Sequence, residues 1–454
     1  MGEEYGLINA RHPDRNAFDR FSRGGSSAVE ERWIEDHLRA GCALCQREVD
    51  ELLLRVFAPP SEESLEQDAA WDRIFASLGA RLARAATERQ EAPGLLAELL
   101  DRPWEEWPVL FRLDRRLQTI AVCELLIEKS FEEGFRDAHR AIELADRGLL
   151  LAGLLEGDRY GRAVVQDLQA RAWAYLGNAR RIAYDLAGAA EALAQAERLA
   201  EEGSADPLEE ARILDLRASL LSDQGHFEQA AELLDAVIDI YDDVHEPHRK
   251  GRAMISQGRC LGYAGWPEEA IRQIRKGLGL VDWDREPRLV LVARHNLSWF
   301  LNDCGRADEA RRLLQRFRHT YRDLPGFFIE LRLPWLDGRI AARLGRFDEA
   351  EPALREVRRR FLAVGNGYDA SLVTLDLAHL YLETGRAAEV RTLATEMLDL
   401  FLPRDIHPQA LAALAVFQQA AERDHATPGL VREISSYLVR ARKNPELRFA
   451  QEAA

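Results

Sequence analysis

Long apolar runs are missing from this chain. Nothing approaches the roughly 18 to 20 consecutive apolar residues that a membrane-spanning helix needs. The N-terminal MGEEYGLINARHPDR is polar where a secretory signal would be basic and then apolar. Neither a membrane span nor a signal peptide is expected, and the chain reads as cytoplasmic. An excess of positive charge is missing too: 61 Lys and Arg face 77 Asp and Glu, for a net charge of −16. Wrapping duplex nucleic acid calls for a dominant basic surface, so that partner is disfavoured. Cysteine is scarce, five in 454 residues. Cys123, Cys260 and Cys304 sit singly inside helical patterns, where a reduced buried thiol is expected rather than a disulfide framework. Catalytic signatures are missing as well: there is no H-E-x-x-H, no H-x-E followed by P-C-x-x-C, no G-x-S-x-G and no glycine-rich phosphate loop. A non-enzymatic protein is expected.

What is present is a ladder of glycines, Gly225, Gly265, Gly305, Gly345 and Gly385, spaced by 40 residues and opening GHFEQA, GWPEEA, GRADEA, GRFDEA and GRAAEV. Self-similarity at such a period marks stacked units, each with an apolar face that only its neighbour can cover. Seven residues before each glycine stands a small residue, Ala218, Gly258, Ser298, Gly338 or Ala378, where two helices can cross closely. Five after it comes Ala230, Ala270, Ala310, Ala350 or Val390, and four further on Leu234, Ile274, Leu314, Leu354 or Ala394. These offsets fit two helices per repeat, the glycine ending the first in a left-handed turn. The unit resembles a tetratricopeptide repeat in its small-residue, glycine and alanine positions. That resemblance implies an all-α, right-handed α-solenoid, here with a 40-residue period in place of the usual 34. Upstream, Gly177 reads as the opening of a looser copy with an insertion, and 131–155 as the second half of a first repeat. Downstream, His425 falls where the next glycine would stand, and the apolar pattern runs to Ala441. About eight helical pairs are expected over 104–441, followed by a tail at 442–454.

Residues 1–57 lie outside the repeat pattern. His37, Cys42 and Cys45 form H-x4-C-x2-C. A C-x2-C pair at a turn can put two thiolates on one ion, a histidine one turn earlier supplies a third ligand, and His12 is the candidate fourth. The alternative is an ordinary thiol pair with incidental histidines. The segment resembles the zinc-binding anti-sigma domain, in which an upstream His or Cys joins a later H-L-x-x-C-x-x-C; here His37-Leu38 is followed by three residues before Cys42. The resemblance implies one structural zinc and a sigma factor or other transcription component as partner. The ion would act as a staple, because so short and polar a segment can hardly form its own core. Residues 58–103 read as a linker, APPSEES, and a spacer helix over 65–90 that caps the repeats, with a heptad-like dimer helix as the alternative. Trp71, Trp173 and Trp283 are expected in the core.

Counting back from the glycines places Arg252, Arg259, Tyr263, His295, Trp299, Arg332, Trp335, Arg339 and Arg343 on the face of the first helices that lines the groove in tetratricopeptide arrays. Arginine forks beside aromatic rings suit an acidic peptide or a phosphate-bearing ligand. The competing reading packs Trp299 and Trp335 between helices and pairs the arginines with Asp303 and Asp337. The expected function is a regulatory adaptor that binds protein partners in the groove. The alternative is a sensor that holds a nucleotide, signalling ligand or single-stranded nucleic acid there.

Overall fold

Helices follow one another in pairs through the computed structural model, which describes residues 12–13, 15–22, 26, 28–39, 42–56, 65–134, 136–323, 328–401, 408–442 and 447–449. Three short helices open the chain: α1 (Arg15–Ser22), α2 (Ala28–Arg39) and α3 (Ala43–Val56). The linker expected at 58–64 lies outside the described residues. α4 (Leu65–Leu100) and α5 (Trp107–Leu113) come next. The pairs then begin with α6 (Ile120–Glu133) and α7 (Ala138–Ala152), and a single turn, α8 (Gly157–Tyr160), precedes α9 (Arg162–Ile182) and α10 (Leu186–Glu201). Six further pairs follow: α11 (Pro207–Asp223) and α12 (Phe227–Asp243), α13 (Pro247–Ala264) and α14 (Pro267–Leu278), α15 (Pro287–Asp303) and α16 (Ala307–Phe317), α17 (Leu333–Arg343) and α18 (Phe347–Ala363), α19 (Gly367–Glu383) and α20 (Ala387–Phe401), α21 (Pro408–Glu422) and α22 (Pro428–Ala441). Six of these helices start on proline, whose fixed φ and missing N–H cost nothing in a first turn. The fold is the all-α helical repeat expected, and no described helix is long and apolar enough to cross a membrane.

The ladder glycines close their helices alike, with φ of 81°, 104°, 76°, 71° and 71° from Gly225 to Gly385. After each, the next N–H reaches back to a carbonyl five residues earlier, as from Trp266 to Leu261 at 2.9 Å and from Arg306 to Leu301 at 2.8 Å. A Cβ on Gly265, Gly305, Gly345 or Gly385 would meet nothing within 4 Å, so the left-handed backbone, not space, requires glycine. Two further repeats make this turn without glycine. Tyr184 (φ 64°) precedes an Asp185 N–H bonded to Arg180 O at 3.0 Å, and Asp424 (φ 58°) precedes a His425 N–H bonded to Ala420 O at 2.7 Å. Gly177 is therefore not a turn residue, and the insertion expected there disappears. It lies inside α9, seven residues before Tyr184, and a Cβ on it would come 2.9 Å from Leu193: it belongs to the close-crossing column. Gly258 and Gly338 occupy the same column, their missing Cβ atoms facing Ile274 at 2.6 Å and Leu354 at 3.0 Å.

The chain divides into two units, residues 1–220 with 240–245, and residues 221–239 with 246–454. In the first, α1 to α3 share a small core of Ala17, Phe18, Ile34, Leu38, Cys42 and Cys45. α4 runs unbroken through Pro93 to Leu100, ten residues past the expected end. Burial of Ala92, Leu95 and Leu99 against Trp107, Phe111 and Leu126 offsets the hydrogen bond that the proline removes. Glu88 adds a buried tether, accepting from Arg159 at 2.6 Å and from the Tyr160 hydroxyl at 3.0 Å. The side chain of Trp71 lies outside the described set; Trp173 is partly buried against the α9–α10 core.

In the second unit, Ile274, Leu297, Phe300, Leu314, Leu354 and Phe361 fill the spaces between helices. Trp283, expected in the core, is instead 52% exposed on the turn between α14 and α15. Past Phe317 the chain tightens into a 3₁₀ turn at Arg318–Asp323, and a π turn at Phe328–Arg332 leads into α17.

Candidate functional site

In the first unit, Cys42 stands at the N-terminal end of α3 and Cys45 one turn inside it, where unpaired helix N–H groups favour a thiolate. The chain reverses between α2 and α3, with the Cys42 N–H on the His37 carbonyl at 3.1 Å. His12 arrives from in front of α1, its Nδ1 3.5 Å from Cys42 Sγ and 4.0 Å from Cys45 Sγ. One donor atom from each of these three residues lies within 4.8 Å of the other two. His37 stands beside the trio, its ring centroid 5.7 Å from that of His12.

The His37 Nδ1 sits 3.0 Å from the Trp33 carbonyl, placed to donate to it and leave Nε2 with the lone pair; Nε2 of both histidines is buried with no partner among the described residues. Ligating histidines are commonly held by such a bond on the other nitrogen. Burial lowers the His37 pKa and so favours the neutral form that a ligand needs. The neighbouring Cys45 thiol lowers the Cys42 pKa, while that contact and burial push the Cys45 thiol up. Two buried thiols beside the half-buried His12 imidazole are a donor set that suits zinc, and His37 stands next to them. Asp206, buried just before α11, acts electrostatically on His37, Cys42 and Cys45, so the turn between α10 and α11 lies next to the module.

In the second unit the expected groove residues are brought together in part. Trp299 of α15 and Trp335 of α17 meet edge to face at 5.1 Å, and the Arg339 guanidinium lies 4.3 Å from the Trp299 ring. Trp335 is 1% exposed, and its indole N–H donates to Asp376 of α19 at 2.6 Å. Arg339 donates to the same Asp376 at 3.2 Å and to Asp303 at 3.0 Å. Arg332 is bound to Asp369 at 2.8 Å, where Arg442 joins at 3.0 Å. Arg343 stays exposed. The result is a ladder of paired charges and rings across three successive first helices; of the two readings, Trp335 and the Arg339–Asp303 pair follow the packed and paired one. Asp337 pairs with Arg318 instead.

The remaining groove residues are more dispersed. Arg252 pairs with Glu286 at 3.0 Å, Arg259 is half-buried, and Tyr263 lies between the Phe227 and Phe300 rings at 5.4 and 5.9 Å. His295 is buried, its pKa lowered to about 3 by desolvation and by Arg332, with the Tyr321 hydroxyl 3.4 Å from its Nδ1. Sequence counting missed Asp369 and Asp376, which stand 37 residues after Arg332 and Arg339. That separation is one repeat less about one helical turn, a signal readable once the repeat register is known.

Neither a protein-family model nor a curated protein matches the sequence. Solved structures do. A Rap protein complexed with competence and sporulation factor superposes with a TM-score of 0.51 at 14% identity, covering 70% of this chain and 87% of that one. Aspartyl phosphate phosphatase F from Bacillus subtilis gives 0.47 at 12% identity, covering 83% and 94%. The first likeness defines the class: an all-α protein of tetratricopeptide-like helical repeats.

Proposed function

We propose that this chain is a non-enzymatic regulatory adaptor whose repeats bind an extended segment of a partner protein. The observation that carries this reading is the ladder on α15, α17 and α19. Trp299 offers a partly exposed ring, Arg343 an open cation, and Arg339 with Asp303 and Asp376 a mixed set of donors and acceptors. Such a face suits a peptide, which presents backbone N–H and C=O groups and side chains of both signs. The Rap neighbour of the same fold is described in complex with a factor, which agrees with this use of the scaffold. A nucleotide held by free arginines fits the face less well, because Asp303, Asp369 and Asp376 already occupy the two arginines nearest the rings. The test is affinity purification with the wild-type chain and with Trp299→Ala combined with Arg343→Glu. A partner that the wild type retains and the folded variant loses supports the ladder; equal recovery removes it.

The N-terminal module is proposed to hold one structural zinc through Cys42, Cys45, His12 and His37. The ion would supply four bonds beside a small core that, among the described residues, buries Ala17, Phe18, Ile34, Leu38, Cys42 and Cys45. Reduced, purified chain is expected to carry about one zinc. Cys42→Ser with Cys45→Ser is expected to lose it and keep the helical circular dichroism of the repeats, which bury their own cores; unchanged zinc content in that variant would reject the site. On resemblance to the anti-sigma domain, a sigma factor is the first transcription protein to test against this module.

A further inference from the structure

Arg294, in the middle of α15, is 8% exposed, and among the described residues it has no ion pair. Its Nη2 is buried without any hydrogen-bond partner. Its neighbours are rings: Phe317 at the end of α16, 3.6 Å from the guanidinium carbon, and Trp283, 4.2 Å away. A second cation, the exposed Arg316, stands over the same Phe317 ring at 5.3 Å. Burial and the charge of Arg316 lower the Arg294 pKa, and among the described residues the Tyr321 phenol acts in the other direction.

Burying an arginine beside another arginine is costly, and ring contacts offset only part of that cost. Arg339 and Arg332 of this unit are met by carboxylates; around Arg294 no counter-charge stands among the described residues, in a chain whose net charge is −16. The chain is not short of acids to place there, so the vacancy calls for a reason. Guanidinium hydrogen bonds lie in the plane of the group, so rings against its faces leave the N–H edge for a ligand. Trp283 is the cover on this site. Its indole N–H is anchored to the Leu278 carbonyl at 3.1 Å while half the side chain stays in water.

We propose that Trp283, Arg294, Arg316 and Phe317 form a binding site for a phosphomonoester. Two guanidiniums with no ion pair among the described residues match a group that carries nearly two negative charges at neutral pH and accepts several hydrogen bonds. The exposed part of Trp283 is a platform for an aromatic ring attached to that phosphate. The site does not depend on the peptide reading of the ladder, since neither arginine is part of the ladder.

The probes are phenyl phosphate, an aryl phosphomonoester, and AMP, a nucleotide, titrated into the full chain by calorimetry, with thermal shifts in parallel. Saturable binding of at least one is expected, and the tighter of the two identifies the source of the phosphate. Arg294→Met and Arg316→Gln should each weaken it about tenfold or more, the loss expected for a charge-assisted hydrogen bond. Arg343→Glu, in the ladder, should leave it unchanged. Should Arg294→Met fail to fold, Arg316→Gln decides alone, because its side chain is exposed. No binding of either probe by the wild type, or equal affinity in Arg316→Gln, overturns the site.

Discussion

Arg339 and Arg294 project from first helices of neighbouring repeats, α17 and α15, and both are screened from water, yet their charge is handled in opposite ways. Arg339 is clasped by Asp303 and Asp376 and lies over Trp299. Arg294 lies against Trp283 and Phe317 and meets no carboxylate among the described residues. A paired buried charge is part of the scaffold, because removing either partner strands the other. An unpaired one strands nothing, and its cost to the fold is tolerable only if something else answers it. The difference separates a structural arginine from a candidate binding arginine, which residue type and helical position alone do not do.

The largest expected effect is that of Asp369→Ala. This carboxylate is buried between Arg332 and Arg442, and its loss leaves two cations facing each other. Chemical denaturation should show a destabilisation of about 3–5 kcal/mol. Arg339→Met comes next, at about 1–3 kcal/mol near neutral pH, because Asp303 and Asp376 lose a donor. Burial already raises the Asp303 pKa, and Arg339 restrains that rise. An aspartate whose folded pKa lies above its unfolded value stabilises the fold most when protonated and loses that contribution as pH rises through the folded pKa. The penalty of Arg339→Met should therefore shrink toward acid pH, as denaturation at two pH values would show. Arg294→Met is the smallest, under about 1 kcal/mol in either direction, since a desolvated cation is exchanged for an apolar side chain. If Arg294→Met proved as damaging as Asp369→Ala, the two arginines would not differ in kind.

The repeat was legible because its signals are local. A left-handed turn selects glycine at Gly265 or Gly305, and a close crossing selects glycine at Gly258 or Gly338, so both columns survive in the sequence. Gly177 misled for the same reason: both columns use glycine, and Tyr184 holds its turn without one. At the module, the C-x2-C spacing and His12 pointed to three donors that do converge. His37 was placed within one shell of them, but its exact distance depends on how the α2–α3 turn closes. On the ladder, positions were readable and pairing was not. Whether Arg332 faces solvent or Asp369 depends on the rise and rotation between α17 and α19, which a 40-residue period leaves open. An aromatic residue reads as core, and only the turn between α14 and α15 leaves Trp283 half in water.

The character of the ladder can be measured directly through the salt dependence of partner binding by the wild-type chain, using the protein that Trp299→Ala with Arg343→Glu fails to retain. With Arg332 and Arg339 already neutralised by aspartates, few counterions are displaced on binding, and the affinity should change by less than about tenfold between low and high salt. A steep fall in affinity, linear in log salt with a slope of several charges, would mean free cations at the interface beyond Arg343 and would contradict a ladder whose other arginines are neutralised.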